Sequence, residues 1–249
     1  CATGAVVYTT SHTHACETVS MWPGLNPRTY RYAEAYTAAA GGVLTRSATA
    51  DSTYMDWSGT PSPTAYNWFP DFTVGTTSGL GQAGLSITGA AGFISIGGEF
   101  GSVNNKLGQG LTRFSTAPPG GAKQGPRVSA ASWVPTATSA VPGAAYVTIP
   151  ANWDRDDLRL TYELRRSGSF EVIDSTTAES TWWNLPTISL RDTTAPQGSS
   201  QTYTVTVKDA DGNAVTSGEA TVQIASGASE TYANAVLSDS ASLFWRLGG

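Results

Sequence analysis

The stretch Gln201-Thr-Tyr-Thr-Val-Thr-Val207 alternates strictly, with Tyr203, Val205 and Val207 on one side of an extended chain and Thr202, Thr204 and Thr206 on the other. One face suits a core and the other water, which is a strand pattern and not a helical one. Turn chemistry follows at Asp209-Ala-Asp-Gly-Asn213, where Gly212 and Asn213 can take positive φ between two strands. Other short runs of β-branched and aromatic residues lie at Tyr146 to Ile149, Leu158 to Leu164, Thr187 to Leu190 and Ala220 to Ile224, each bounded by turn-forming residues. About six or seven such strands in about a hundred residues predict a β-sandwich.

Composition extends this all-β expectation to the rest of the chain. Charged residues make up 13% of the sequence, too few to clothe the outer faces of long solvated helices. At 249 residues the chain is long enough for two modules. The formal charge of -5 has no basic block behind it, which excludes the electrostatic footprint of a nucleic-acid binder. No stretch approaches the roughly 18 uncharged apolar residues of a membrane-spanning helix, and no lipid-anchor pattern ends the sequence. The sequence opens without a signal peptide, so export implies either a removed signal or a start inside a longer precursor, and the second is expected.

Proline and glycine cluster in Ala117-Pro-Pro-Gly-Gly-Ala-Lys-Gln-Gly-Pro126, which predicts a linker over 117–128. A softer break at Ala225 to Ser229 sets off the final residues. The expected segments are therefore 1–116, 129–225 and 226–249. The middle one resembles a fibronectin type III-like (immunoglobulin-like) domain, with Asp192-Thr-Thr-Ala-Pro-Gln-Gly198 leading into the Tyr203 strand and Tyr203 as the corner tyrosine. Ala151-Asn-Trp-Asp-Arg-Asp-Asp157, Leu160-Thr-Tyr162 and Ser180-Thr-Trp-Trp-Asn184 resemble a subtype found in large exported actinobacterial proteins. Pro150 departs from that pattern, because it follows the second strand where a core tryptophan often sits.

In the first segment Ala5 to Thr9 and Gly92 to Ile96 read as buried strands. Gly97-Gly-Glu-Phe-Gly-Ser-Val-Asn104 and Gln109-Gly-Leu-Thr-Arg-Phe114 resemble the repeating unit of an exported β-propeller family, which implies propeller-like blades. Arg31 to Ala40 has helical propensity, but the resemblance assigns it to a strand, and no capping residue precedes it. A propeller closes with at least about four blades, so these blades are expected to be part of an incomplete one. The closing segment, from Tyr232 to Gly248, resembles the opening of a laminin-G-like or concanavalin-like lectin domain through its Val-Leu and Phe-Trp-Arg-Leu steps.

Several constellations could carry chemistry. Cys1 and Cys16 are the two cysteines, and a disulfide between them is expected to contribute ~3 kcal/mol by loop-closure entropy and to imply an extracytoplasmic compartment. Free structural thiols, a lipid-modified Cys1, and a zinc site using His12, His14 and Cys16 are the alternatives. Asp154, Asp156 and Asp157, and separately Asp209 and Asp211, offer the oxygen ligands that calcium takes, although both turns also suit plain Asx hydrogen bonding. No cofactor is otherwise required. Trp22, Trp57, Trp68, Trp182 and Trp183 sit in Pro- or Gly-flanked, loop-like contexts where exposed rings could stack on sugars or partner surfaces; packing is the competing role for the Trp182 and Trp183 pair.

Glu99, beside Phe100, is the acid with apolar neighbours, yet it falls in an expected turn. No nucleophile elbow, phosphate-binding glycine loop or metalloprotease helix is present in the sequence. The expectation is a non-catalytic, secreted or cell-surface-associated multi-domain protein for adhesion, glycan (carbohydrate) binding or scaffolding. Its partners would be a glycan or cell-surface ligand, and other protein chains through exposed β edges. Two alternatives are a structural subunit of a larger exported or phage-like assembly, and an accessory region of a polysaccharide-degrading enzyme.

Overall fold

The computed structural model describes residues 1–47, 53 and 55–227. The lectin-like segment expected over 226–249 lies almost wholly outside them. Among the described residues the chain is all-β, with antiparallel sheets, two short 3-10 turns and no α-helix. It divides into two compact units, residues 1–124 with 155–157, and residues 125–154 with 158 onward.

In the first unit β1 (Ala2–Thr3), β2 (Val6–Thr13), β3 (Arg31–Thr37) and β6 (Ala65–Tyr66) form a four-stranded sheet. Arg31 onward is thus a strand despite its helical propensity. Ala33 and Ala35, both fully buried, face the core opposite Tyr8, and their small side chains let the sheets approach closely. Short strands β4 (Gly42–Val43) and β5 (Pro61–Ser62) pair with each other. β7 (Phe72–Val74), β10 (Phe100–Val103) and β11 (Lys106–Leu107) form one three-stranded sheet, while β8 (Gly84–Ala90), β9 (Phe93–Gly98) and β12 (Leu111–Ser115) form another. Asn104 and Asn105, with φ of 51° and 60°, make the tight turn between β10 and β11 that Asn tolerates better than most residues. Among the described residues these sheets close neither a barrel nor a propeller.

The core of this unit joins Tyr8, Ala33, Ala35, Ile94, Ile96 and Phe100, with Trp68 and Phe114 packed against it. Trp68 meets Tyr8 edge-on at 5.0 Å and Phe114 edge-on at 5.1 Å, contacts that add about 0.5–1.5 kcal/mol each beyond area burial.

The expected disulfide is not formed, and the sheet explains why. Cys1 pairs through its backbone with Tyr8, so its side chain shares the Tyr8 face and packs with the core. Cys16 is buried on the other face, beside Thr13, Tyr36 and Glu34. Both are free thiols.

The second unit contains β13 (Thr136–Thr138), β14 (Ala145–Pro150) and β17 (Thr187–Asp192) in one sheet. Its other sheet runs β16 (Asp174–Glu179), β15 (Arg159–Arg166), β18 (Ser200–Lys208) and β19 (Ala214–Thr216), with β20 (Ala220–Gln223) also on β18. Val147, Ile149, Leu160, Tyr162, Leu164, Ile188, Leu190, Tyr203, Val205 and Val207 from both sheets form one core, each large side chain contributing about 1.5–3 kcal/mol on burial. Tyr203, Val205 and Val207 thus point inward as their alternation predicts. Thr206, predicted to face water, is buried instead because its hydroxyl meets that of Thr216 at 3.0 Å across the β19 pairing.

Pro150 is accommodated by a tryptophan from elsewhere in the chain. A 3-10 turn at Ala130–Ser132 delivers Trp133 into the core, where its indole N–H donates to the Pro150 carbonyl at 2.7 Å.

Candidate functional site

An open cleft of about 570 Å³ in the first unit is lined by His14, Thr18, Arg28, Leu44, Thr45, Arg46, Ser47, Met55, Asp56 and Trp57. It is built where the chain leaves β2, enters β3, and runs between β4 and β5. Backbone hydrogen bonds tie these segments: Leu44 N to Thr60 O at 2.8 Å, Gly59 N to Leu44 O at 2.9 Å and Thr45 N to Thr18 O at 2.9 Å. Gly59, at φ 81°, allows the turn that carries Trp57 outward. Trp57 is 62% exposed and Met55 74%, so an indole and a thioether offer apolar surface to anything that enters.

The polar side of the cleft is fixed by an ion pair and a hydroxyl network. Arg46 lies 3.0 Å from Asp56. Asp56 also accepts the Ser58 N–H at 3.0 Å, and the Ser58 backbone and hydroxyl together with Arg46 hold its carboxyl down to about 2. Asp56 is therefore an ionised acceptor at neutral pH and has no proton to give. Thr45 Oγ1 donates to the Glu17 carbonyl at 3.1 Å, and Ser47 Oγ to the Glu17 carboxylate at 2.6 Å. His14 stands edge-on to Tyr30 at 5.8 Å.

The sequence candidates scatter. Trp57 belongs to the cleft, but Trp22 is fully buried, edge-on to Phe69 at 6.0 Å, and Trp68 is part of the core packing. Both were expected in exposed loops; adjacent aromatic clusters that sequence spacing does not reveal pull them inward. Trp182 and Trp183 sit half-buried in a tight turn closed by Thr181 and Asn184, their rings 5.4 Å apart and edge-to-face. Being in a turn, they pack on each other and are not divided between the two faces of an extended strand.

His12, His14 and Cys16 do not assemble as a ligand set. A bulge between Thr10 and Thr13 breaks the alternation of β2. His12 Nδ1 meets Gln82 Nε2 at 2.8 Å, Cys16 is buried beside Thr13, Tyr36 and Glu34, and among the described residues the ligand atoms of the three do not come together as a group. Asp154, Asp156 and Asp157 bring carboxylate oxygens within 4.8 Å of one another along one short stretch of chain. Calcium takes about six to eight oxygens, a number that three carboxylates reach at its lower end only if each gives both of its oxygens. Asp209 is a turn residue whose two carboxylate oxygens accept the Asn213 backbone N–H at 2.8 Å and side-chain N–H at 2.6 Å, while Asp211 is exposed at the tip. Glu99 accepts from the Ser78 hydroxyl and N–H and the Thr77 N–H, which keep its carboxyl below the usual range and make it a brace for that loop.

Arg28, Arg46, Met55 and Asp56 carry no sequence signal as a group. Arg46 and Asp56 meet because β4 and β5 fold the chain back on itself, and Arg28 joins them from the segment before β3. Compared with protein-family models and with curated proteins, the chain matches no family and no relative.

Proposed function

We propose that the chain is a non-catalytic, extracellular binding or scaffold protein that recognises a glycan through the Trp57 cleft. The observation that carries this reading is a strongly exposed indole beside an ion pair and an arginine in a cleft of about 570 Å³. That volume falls in the range of about 300–1,000 Å³ typical of small-ligand sites, and a flat ring with adjacent polar groups suits the alternating apolar and hydroxyl surface of a pyranose. The second unit, with its two antiparallel sheets about one core and its buried Tyr203 hydroxyl bond, supports a fibronectin type III-like spacer. The first unit's small antiparallel sheets are compatible with propeller-like blades. Export rests on the same resemblances.

The test is affinity electrophoresis of the whole chain and its Trp57→Ala variant through gels containing a panel of polysaccharides. Retardation by at least one glycan, weakened about tenfold in Trp57→Ala, is expected. Equal mobility of both proteins in every gel defeats the reading.

A second reading, a subunit of a larger assembly, is favoured by β11 and β12, which are sheet edges carrying Leu107 at 93% and Leu111 at 70% exposure. Light scattering after size exclusion at micromolar concentration decides it: a defined oligomer supports assembly, and a monomer rejects it.

A further inference from the structure

We infer that the ligand of this cleft is an acidic sugar of the uronic-acid type, whose carboxylate is read by Arg28; the inference rests on the glycan reading above. Among the described residues three charged side chains line the cleft, and two of them, Arg46 and Asp56, neutralise each other at 3.0 Å. Asp56 remains ionised down to about 2, so that pair stays closed over the working pH range. The third, Arg28, is exposed and has no hydrogen-bond or ion-pair partner among the described residues.

Two hydroxyls of the wall, those of Thr45 and Ser47, are already engaged. Thr45 gives its proton to the Glu17 carbonyl and Ser47 to the Glu17 carboxylate, which lies behind these hydroxyls and keeps its charge. Of the described wall hydroxyls that leaves Thr18 to a neutral sugar, whereas a carboxylate also finds a guanidinium. A guanidinium presents N–H groups in a planar fork that matches a carboxylate with two parallel bonds. Trp57 then supplies the platform for the ring, and Arg28 distinguishes an acid from its neutral relatives.

The experiment is calorimetric titration of the whole chain with oligogalacturonate, oligomannuronate and hyaluronan oligosaccharides. Neutral xylohexaose and cellohexaose and sulfated carrageenan oligosaccharides serve as comparisons. At least one uronic oligosaccharide is expected to bind, and methyl esterification of its carboxylates to weaken it about tenfold or more. Arg28→Gln should erase the difference between acid and ester while leaving the ester's affinity within about twofold. If acid and ester bind alike, if only neutral or sulfated sugars bind, or if Arg28→Gln leaves the preference for acid intact, the carboxylate inference falls and the glycan reading stands. If no sugar binds and Trp57→Ala changes nothing, both fall together.

Discussion

Tyr203 on β18 donates its hydroxyl to Asp192 Oδ2 at the end of β17, 2.9 Å away, and both residues are fully buried. Asp192 also receives Arg166 through two nitrogens, at 2.8 and 2.9 Å, and the Thr194 N–H at 2.8 Å. Removing the hydroxyl with Tyr203→Phe takes one donor from a buried charge and should lower stability by about 1–3 kcal/mol in urea unfolding. A loss below measurement error would mean that the remaining partners satisfy the carboxylate unaided.

The same carboxylate sets an acid limit. Burial opposes its charge, but the Thr194 N–H, Tyr203 and Arg166 outweigh burial and hold its pKa below the ordinary carboxyl value. Its contribution is present above that ordinary value and is lost as pH falls through the lowered one. Asp192→Asn should accordingly show a flatter decline in melting temperature below about pH 4 than the parent chain; parallel acid limbs would assign the sensitivity to other groups.

Asn152, fully buried two residues beyond β14, is the knot of the second unit. Its Oδ1 accepts the N–H groups of Arg127, Val128 and Trp153 at 2.8 to 3.0 Å, and its Nδ2 donates to the Val128 carbonyl at 3.0 Å. Asn152→Ala leaves the Val128 N–H and carbonyl and the Trp153 N–H, all half-buried, without this partner, at up to about 1–3 kcal/mol each, and should destabilise more than Tyr203→Phe in the same urea assay. The reverse order would show that water replaces the amide without penalty.

Glu34 has the opposite sign from Asp192. It is fully buried among the hydroxyls of Thr9, Ser11 and Thr13, and burial raises its pKa even though those hydroxyls donate to it. Stability linked to Glu34 is therefore full below the ordinary carboxyl value and declines as pH rises through the raised one. Glu34→Gln should be more thermally stable than the parent at pH 8, with the advantage shrinking toward pH 4. A variant less stable at pH 8 would place the value of Glu34 in its charge.

Thiol chemistry checks the free cysteines. In native protein at pH 8, iodoacetamide should modify Cys1 readily and Cys16 only after unfolding, because Cys16 is buried and its thiol is pushed up to about 11. An intact mass that rises on reduction would restore the disulfide.

Strands were legible wherever one face is apolar and the next polar, as in Tyr203 to Val207, because that pattern states which side is buried. The turn at Asp209 to Asn213 was legible for the same local reason. Glu34 was not, because in Arg31-Tyr-Ala-Glu-Ala-Tyr-Thr37 it looks like an outward-facing residue between two inward alanines. Three hydroxyls from β2 make burial tolerable, and nothing in β3 itself announces them. Trp57 could be picked out by its glycine-flanked setting, yet Trp22 has much the same look and lies wholly inside. The difference is Phe69, distant in sequence and adjacent in space. Arg28 was invisible because its significance lies in lacking a partner among the described residues where Arg46 has one.

The placement of Cys1 and Cys16 on opposite faces of one sheet makes the first unit independent of oxidative folding. It closes through backbone ladders and side-chain packing alone, so it should reach the same state in a reducing cytoplasmic host as in an oxidising one. Reductant in the buffer would then protect the protein from intermolecular crosslinks without loosening it.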